Sequence, residues 1–171
     1  MKKLFLFSCA ALLFVAVGCE KAPHSAKSEF LNAEGQVIGT AKLEEVEGGV
    51  KISVEVSGLT PGLHGIHIHD VGKCEIPDFK SAGPHFNPDG KKHGHMNPEG
   101  AHAGDLPNLV VGADGKGSAE IVVKGVTLKR GGNSLFHSGG TSIVIHAQPD
   151  DEKTDPSGNS GDRIACGVII K

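Results

Sequence analysis

Between Leu63 and Ala103 the chain carries seven of its ten histidines: His64, His67, His69, His85, His93, His95 and His102. Imidazole is the commonest protein ligand for zinc and copper, and a random scatter would not crowd histidines this way, so the stretch reads as a metal site. His67 and His69 stand two apart in Gly65-Ile-His-Ile-His69. On a strand that spacing sends both side chains from one face, roughly 6 to 7 Å apart, near enough to grip one ion from adjacent corners. Taken alone, an H-x-H fits two histidines on a half-exposed strand equally well. His146 closes another strand-like run, and His85, His93, His102 and Asp105 follow one another at spacings of 8, 9 and 3 in a long loop. A loop can wrap three histidines and one aspartate tetrahedrally around zinc, whose filled d shell imposes no other geometry.

The elements that must position these residues read as strands. Val50-Lys-Ile52-Ser-Val54-Glu-Val56 alternates without a fault, and Gly48-Gly49 before it marks a hairpin turn after a strand around Ala41 to Val46. Alternation starts at Ser28 and resumes from Leu63 to His69, placing Ile66 and Ile68 on one face and His67 and His69 on the other. Further strands are expected at Leu109-Val-Val111, Ala119 to Val123, Ser142 to His146 and Ile164 to Ile170, and no segment shows a sustained 3.6-residue pattern. From Asp70 to Asn108 regularity gives way to scattered Gly and Pro, and a second such loop runs from Gln148 to Asp162. Long structureless stretches in a compact domain are usually functional. The expected fold is all-β: an antiparallel Greek-key β-sandwich or flattened eight-stranded barrel, immunoglobulin-like, with two long functional loops.

At 171 residues the chain has room for one domain and an N-terminal appendage. Met1-Lys2-Lys3 followed by Leu4 to Val17 has the charged and apolar regions of an export signal, too short to span a bilayer comfortably. Ala16-Val17-Gly18-Cys19 suits ordinary cleavage and also resembles a bacterial lipobox. A cysteine at the cleavage point favours the second reading, with Cys19 lipidated. The expected organisation is a signal peptide over 1–18, a lipidated cysteine and tether over 19–27, and one domain over 28–171. Export places the protein in the periplasm or at the cell surface. Cys9 leaves with the signal and Cys19 takes lipid, so Cys74 and Cys166 remain to form a disulfide. Such a bridge stabilises by about 4 to 5 kcal/mol in a chain-entropy account. Formal charge is −3, and losing Lys2 and Lys3 with the signal makes it −5, which argues against a nucleic-acid partner.

Six motifs go further than composition: Gly65-Ile-His67-Ile-His69, Ser81-Ala-Gly-Pro-His85-Phe-Asn-Pro88, His93-Gly, His102-Ala-Gly-Asp105-Leu, Ile145-His146-Ala and Gly161-Asp-Arg163-Ile-Ala-Cys166-Gly-Val. Through them the chain, from about Gly35 onward, resembles the bacterial copper-zinc superoxide dismutases of the exported lipoprotein kind. The resemblance implies one copper and one zinc ion per subunit, with superoxide as substrate and dioxygen and hydrogen peroxide as products. It implies copper on His67, His69, His85 and His146, and zinc on His85, His93, His102 and Asp105. His85 would bridge both ions and deliver a proton. Arg163 would dock the anion beside copper. A carboxylate would link a copper ligand to a zinc ligand, at Asp150 or its neighbour Asp151, with Asp150 the better match. His64 would be structural. The Cys74–Cys166 bridge would hold the metal loop and the arm bearing Arg163 in register.

Asp162 beside Arg163 departs from the neutral residue common in the family, and with the acidic run Asp150-Asp-Glu152 it could dull the attraction for an anion. The rival reading is an exported zinc or copper storage or delivery protein on the same fold, without turnover. The complete set of copper ligands and Arg163 argue against it. A zinc hydrolase would need an open zinc position, and four protein ligands already fill it. His24, His95 and His137 have no partner at ligand spacing. Both a monomer and a homodimer fit.

Overall fold

The computed structural model describes residues 25–171. The signal segment 1–18, Cys19 and His24 lie outside the described residues. Nine antiparallel strands run β1 (Ser25–Asn32), β2 (Val37–Val46), β3 (Gly49–Ser57), β4 (Gly62–His64), β5 (Ile66–His69), β6 (Leu109–Val111), β7 (Lys116–Lys124), β8 (Ser142–His146) and β9 (Arg163–Val168). A single 3-10 turn, Lys80–Ala82, is the one helical element among the described residues.

The sheet order is β4-β6-β7-β3-β2-β1-β9-β8-β5. Its two end strands, β4 and β5, are separated in the chain by Gly65 alone, so the sheet curls round into a nearly closed barrel. The chain passes from β3 to β4 across β6 and β7, which gives the Greek-key connection. The eight strands expected become nine because the run from Leu63 to His69 breaks at Gly65. On one side β4 pairs with β6, and on the other β5 pairs with β8.

The core follows from alternation. Val50, Ile52, Val54 and Val56 of β3 point inward with Ala41 and Leu43 of β2 and Phe30 of β1, joined by Ile66, Ile68, Ile143 and Ile145. β1 begins at Ser25 and not at Ser28. Ala26 and Ser28 occupy inward positions beside Phe30, and such small side chains hide the period in sequence. The β2–β3 turn is Glu47-Gly48, one residue earlier than expected. Gly48 takes φ of +84°, while Gly49 is already paired with Val46 and Lys124, where a Cβ would strike the Val123 carbonyl. β9 opens at Arg163, and beyond its end Ile170 still bridges Lys27 of β1.

β5 and β8 are buried on both faces. Their isoleucines face the core, as the alternation of β5 predicts, while the histidines of the opposite face lie under the two long loops. The open edge of β5 is sealed by the first loop. Ile68 donates its N–H to the Gly104 carbonyl (2.8 Å), Phe86 donates to Ile68 (2.8 Å) and Gly104 to Phe86 (2.9 Å). This covers an edge that would otherwise be free to pair with another chain, and it sets His85 beside His69 and Asp105 beside His67.

Candidate metal centre

His67 and His69 leave the outer face of β5, His146 ends β8, and His85 arrives on the loop segment sealing the β5 edge. These four offer one ligand atom each within 4.8 Å of one another. Every ring has one nitrogen tied down. His69 Nδ1 donates to the Gly83 carbonyl (2.9 Å) and His146 Nδ1 to Gly161 (3.2 Å), while His67 Nε2 meets Asp150 Oδ2 (2.6 Å). The opposite nitrogens, His67 Nδ1, His69 Nε2, His85 Nε2 and His146 Nε2, are buried without a hydrogen-bond partner. Leaving a polar atom so costs about 1 to 3 kcal/mol each unless something satisfies it. Four lone pairs converging in this way fit a nitrogen-binding cation such as copper.

His85 is shared. Its Nδ1 lies 2.9 Å from Asp105 Oδ1, the same oxygen that stands 3.1 Å from His93 Nδ1 and 3.2 Å from His102 Nδ1, and the His102 and His85 Nδ1 atoms are 3.4 Å apart. Ligands about 2.0 to 2.1 Å from one ion at tetrahedral angles stand about 3.3 to 3.4 Å from each other, so these spacings are close to the edges of a zinc tetrahedron. Asp105 Oδ2 is turned away and accepts N–H bonds from Gly94 (2.8 Å) and His102 (2.9 Å), which fixes the carboxylate with Oδ1 inward.

Asp150 joins the two groups: Oδ2 meets His67 Nε2 at 2.6 Å and Oδ1 meets His93 Nε2 at 3.0 Å. Its neighbour Asp151 faces away, its carboxylate accepting from the N–H groups of Lys153 and Thr154, the Thr154 hydroxyl and the Asn159 amide. Asn108, which nothing in the sequence marks out, pins Asp150 by exchanging two backbone–amide hydrogen bonds with it, both of 2.8 Å.

Burial decides the protonation of the first group. It holds His85 down at about 4, against the opposing contact with Asp105, and His146 down at about 3, aided by the repulsion that would arise if His67 were protonated as well. Burial also lowers His67, opposed by Asp150, and takes His69 well below its ordinary value. All four rings are therefore neutral and ready to coordinate at neutral pH. For His93 burial is outweighed by its contacts with Asp105 and Asp150, which raise it to about 9. Both carboxylates lie well below the usual range: although burial opposes ionisation, hydrogen bonds from the surrounding histidines and backbone N–H groups overcome it.

A cavity of about 430 Å³ opens onto this centre, lined by His69, His85 and His146 together with Arg163, Lys80 and Pro156. The Arg163 guanidinium is held by two backbone carbonyls of the first loop, Nη1 on Phe79 (2.7 Å) and Nη2 on Gly83 (2.8 Å). That loop segment is tied down by the Cys74–Cys166 disulfide (Cα–Cα 5.6 Å), under which Phe79, Ala82 and Val144 pack as a small second core. Asp162 lines a neighbouring cavity with Asp78, Lys80 and Arg163, and Lys80 is paired with Asp78 at 2.8 Å. His64 is buried between two carbonyls, Nδ1 on His146 (2.7 Å) and Nε2 on Thr60 (2.8 Å). His95 and His137 belong to neither group; the first lies 4.0 Å from Glu152 and the second stacks on Phe86.

A Greek-key barrel carrying two imidazole groups that share one histidine defines a protein built for a pair of metal ions on one flank. The chain belongs to the copper/zinc superoxide dismutase (SODC) family, which matches it over residues 37–169. It is 49% identical over 171 residues to Superoxide dismutase [Cu-Zn] 2 of Aquifex aeolicus, covering 99% of each chain. It is 46% identical over 139 residues to the Superoxide dismutase [Cu-Zn] of Caulobacter vibrioides, covering 80% of each. Among solved structures, a double mutant of a SOD-like protein from Bacillus subtilis superposes with a TM-score of 0.82 at 44% identity, over 85% of this chain and 97% of that one.

Proposed function

We propose that this chain is an exported superoxide dismutase in which His67, His69, His85 and His146 hold copper and His85, His93, His102 and Asp105 hold zinc. The observation that carries the reading is the set of four converging, partnerless ring nitrogens, joined through His85 to a tetrahedral imidazole–carboxylate set. Copper, when bound, supplies one-electron exchange between two oxidation states, while zinc supplies fixed charge without redox chemistry.

Two superoxide ions and two protons become one dioxygen and one hydrogen peroxide. The chain's own residues must therefore dock a small anion, shield it from bulk water and place a proton. Arg163 docks it: its hydrogen bonds to Phe79 and Gly83 hold the guanidinium at the cavity wall beside His69 and His146. His85 places the proton. Its Nε2 belongs to the copper group at the cavity, and its Nδ1 stays in the zinc group, so the ring holds its position while Nε2 takes up a proton and gives it away. Asp150 keeps His67 Nδ1 free of hydrogen by occupying Nε2.

Residues 1–18 are read as the export signal and Cys19 as the lipid-bearing first residue of the mature chain, which anchors the domain to a membrane. The disulfide supports an oxidising compartment. Among the described residues no helix is long and apolar enough to cross a membrane. A Cys19→Ser chain that still fractionates with membranes would remove the lipid anchor.

The test is metal content by mass spectrometry on residues 25–171 reconstituted with both ions, with dismutation assayed on the same sample. Copper and zinc in equal amounts with fast turnover is expected; both metals without turnover would favour storage or delivery. His67→Ala should abolish dismutation while leaving zinc bound and the barrel folded, and full activity in that variant would take copper out of the mechanism.

A further inference from the structure

Each imidazole of the zinc group points Nδ1 inward, so each has an outer Nε2 to place. For His85 the outer nitrogen belongs to the copper group, and for His93 it meets Asp150 Oδ1 at 3.0 Å. For His102 it faces Asp155, whose Oδ1 lies 3.9 Å away. Asp155 is also fixed to the rest of this loop. The same Oδ1 accepts the His93 backbone N–H (2.9 Å), and Oδ2 stands 3.4 Å from Lys92 Nζ. The carboxylate lines a cleft of about 360 Å³ beside His85 and His102.

We infer that Asp155 is a positioning residue for zinc, acting through His102 by the charge it sets 3.9 Å from Nε2, a looser counterpart of the 3.0 Å hydrogen bond between Asp150 and His93. A ligating imidazole bound through Nδ1 carries its hydrogen on Nε2, and the cation makes that N–H a stronger donor. A carboxylate facing it favours this tautomer and holds the ring plane. The grip on the His93 N–H adds a second function. One side chain of the β8–β9 loop reaches two successive zinc-group residues of the β5–β6 loop, His93 by a hydrogen bond to its backbone and His102 by a charge facing its ring. Lys92 pairs with the outer oxygen and has no contact with His102 through it.

The inference rests on the assignment of His85, His93, His102 and Asp105 to zinc. The experiment is chelator competition on the zinc-loaded mature chain with copper withheld, comparing the parent with Asp155→Asn and Lys92→Met. Asparagine keeps an acceptor for the His93 N–H and loses the charge facing His102. Asp155→Asn should lose zinc about 10- to 100-fold more readily, the range found when a carboxylate behind a ligating histidine is removed. Its metal-free thermal midpoint should be unchanged, and the visible spectrum of cobalt(II) held in the zinc position should shift. Lys92→Met should match the parent in all three. Zinc retention within twofold of the parent in Asp155→Asn, an equal loss in Lys92→Met, or a lowered metal-free midpoint would overturn the inference. Failure of the underlying assignment reads differently: the parent itself would not retain zinc, or His102→Ala would retain it.

Discussion

Arg163 shows how a single charge becomes useful through what anchors it. A guanidinium on an exposed arm would spend its charge on the nearest carboxylate, and Asp162 is adjacent in sequence. Here one N–H from each terminal nitrogen is committed to the neutral carbonyls of Phe79 and Gly83, leaving further N–H groups for an anion and the charge without a direct carboxylate contact, Asp78 acting on it only at longer range. Of the acidic run, Asp150 is buried between His67 and His93, while Asp151 faces away and is held by neutral donors of its own loop, keeping its charge. Arg163→Met should lower kcat/KM by at least about tenfold while both metals stay bound, because it removes the attraction that concentrates a small anion at the mouth. Pulse radiolysis across a salt series checks this: the parent rate should fall as salt screens the charge, and the variant's rate should depend on salt much less. Copper-group candidates His67 and His69 were legible in sequence as an H-x-H on an alternating segment. Gly83, Asn108 and Asp155 were not, because a carbonyl is offered by any residue and the latter two are placed by backbone turns that leave no mark in residue type.

At the level of elements, β5 and the loop that seals its edge form one unit. The contact is tight where Gly104 lies against Ile68: a Cβ on Gly104 would sit 2.3 Å from the Ile68 carbonyl oxygen. Gly104→Ala should therefore push the loop off the strand and carry Asp105 away from His67, costing roughly 2 to 3 kcal/mol. Urea unfolding of the metal-free chain measures the first effect, and chelator competition for zinc should show a parallel loss. The strands themselves were readable because Val50 to Val56 alternates cleanly. The break at Gly65 was not, since Leu63 to His69 keeps its alternation across the point where pairing passes from β6 to β8. A Cβ at Gly65 would lie 2.9 Å from the Ser160 Cβ and 3.3 Å from the His67 ring. That crowding comes from the second loop, which no local pattern announces. Nor did spacing alone assign His85, His93, His102 and Asp105 to one ion; the motif resemblance did, and the loop's fold brings their inner atoms together.

For the whole molecule the metal centre sets four buried, neutral imidazoles beside one, His93, that holds its proton, and this decides how stability follows pH when the ions are removed. His85 and His146 titrate at about 4 and about 3 when folded, so on acidification the unfolded chain takes up their protons first, near 6.5. Stability of the metal-free protein should then fall as pH drops from 6.5 toward 4, at up to about 1.4 kcal/mol per pH unit for each proton involved. His93 has the opposite sign. Raised to about 9, it contributes stability in full below 6.5 that is lost as pH rises through 9. Thermal midpoints of the metal-free chain should peak between pH 6 and 7 and fall more steeply on the acid side, and a flat acid limb would show that the buried rings are charged when folded. The disulfide acts on the same global scale. Cys166 lies three residues after Arg163, and the segment it ties down, from Cys74 to Gly83, supplies both carbonyls that hold the guanidinium, one of which, Gly83, also holds His69. The bridge thus braces the wall that holds Arg163 as well as the barrel. Breaking the bridge should therefore cost anion docking as well as stability, and an assay of the reduced, metal-loaded chain against the oxidised one measures the first loss separately from the second.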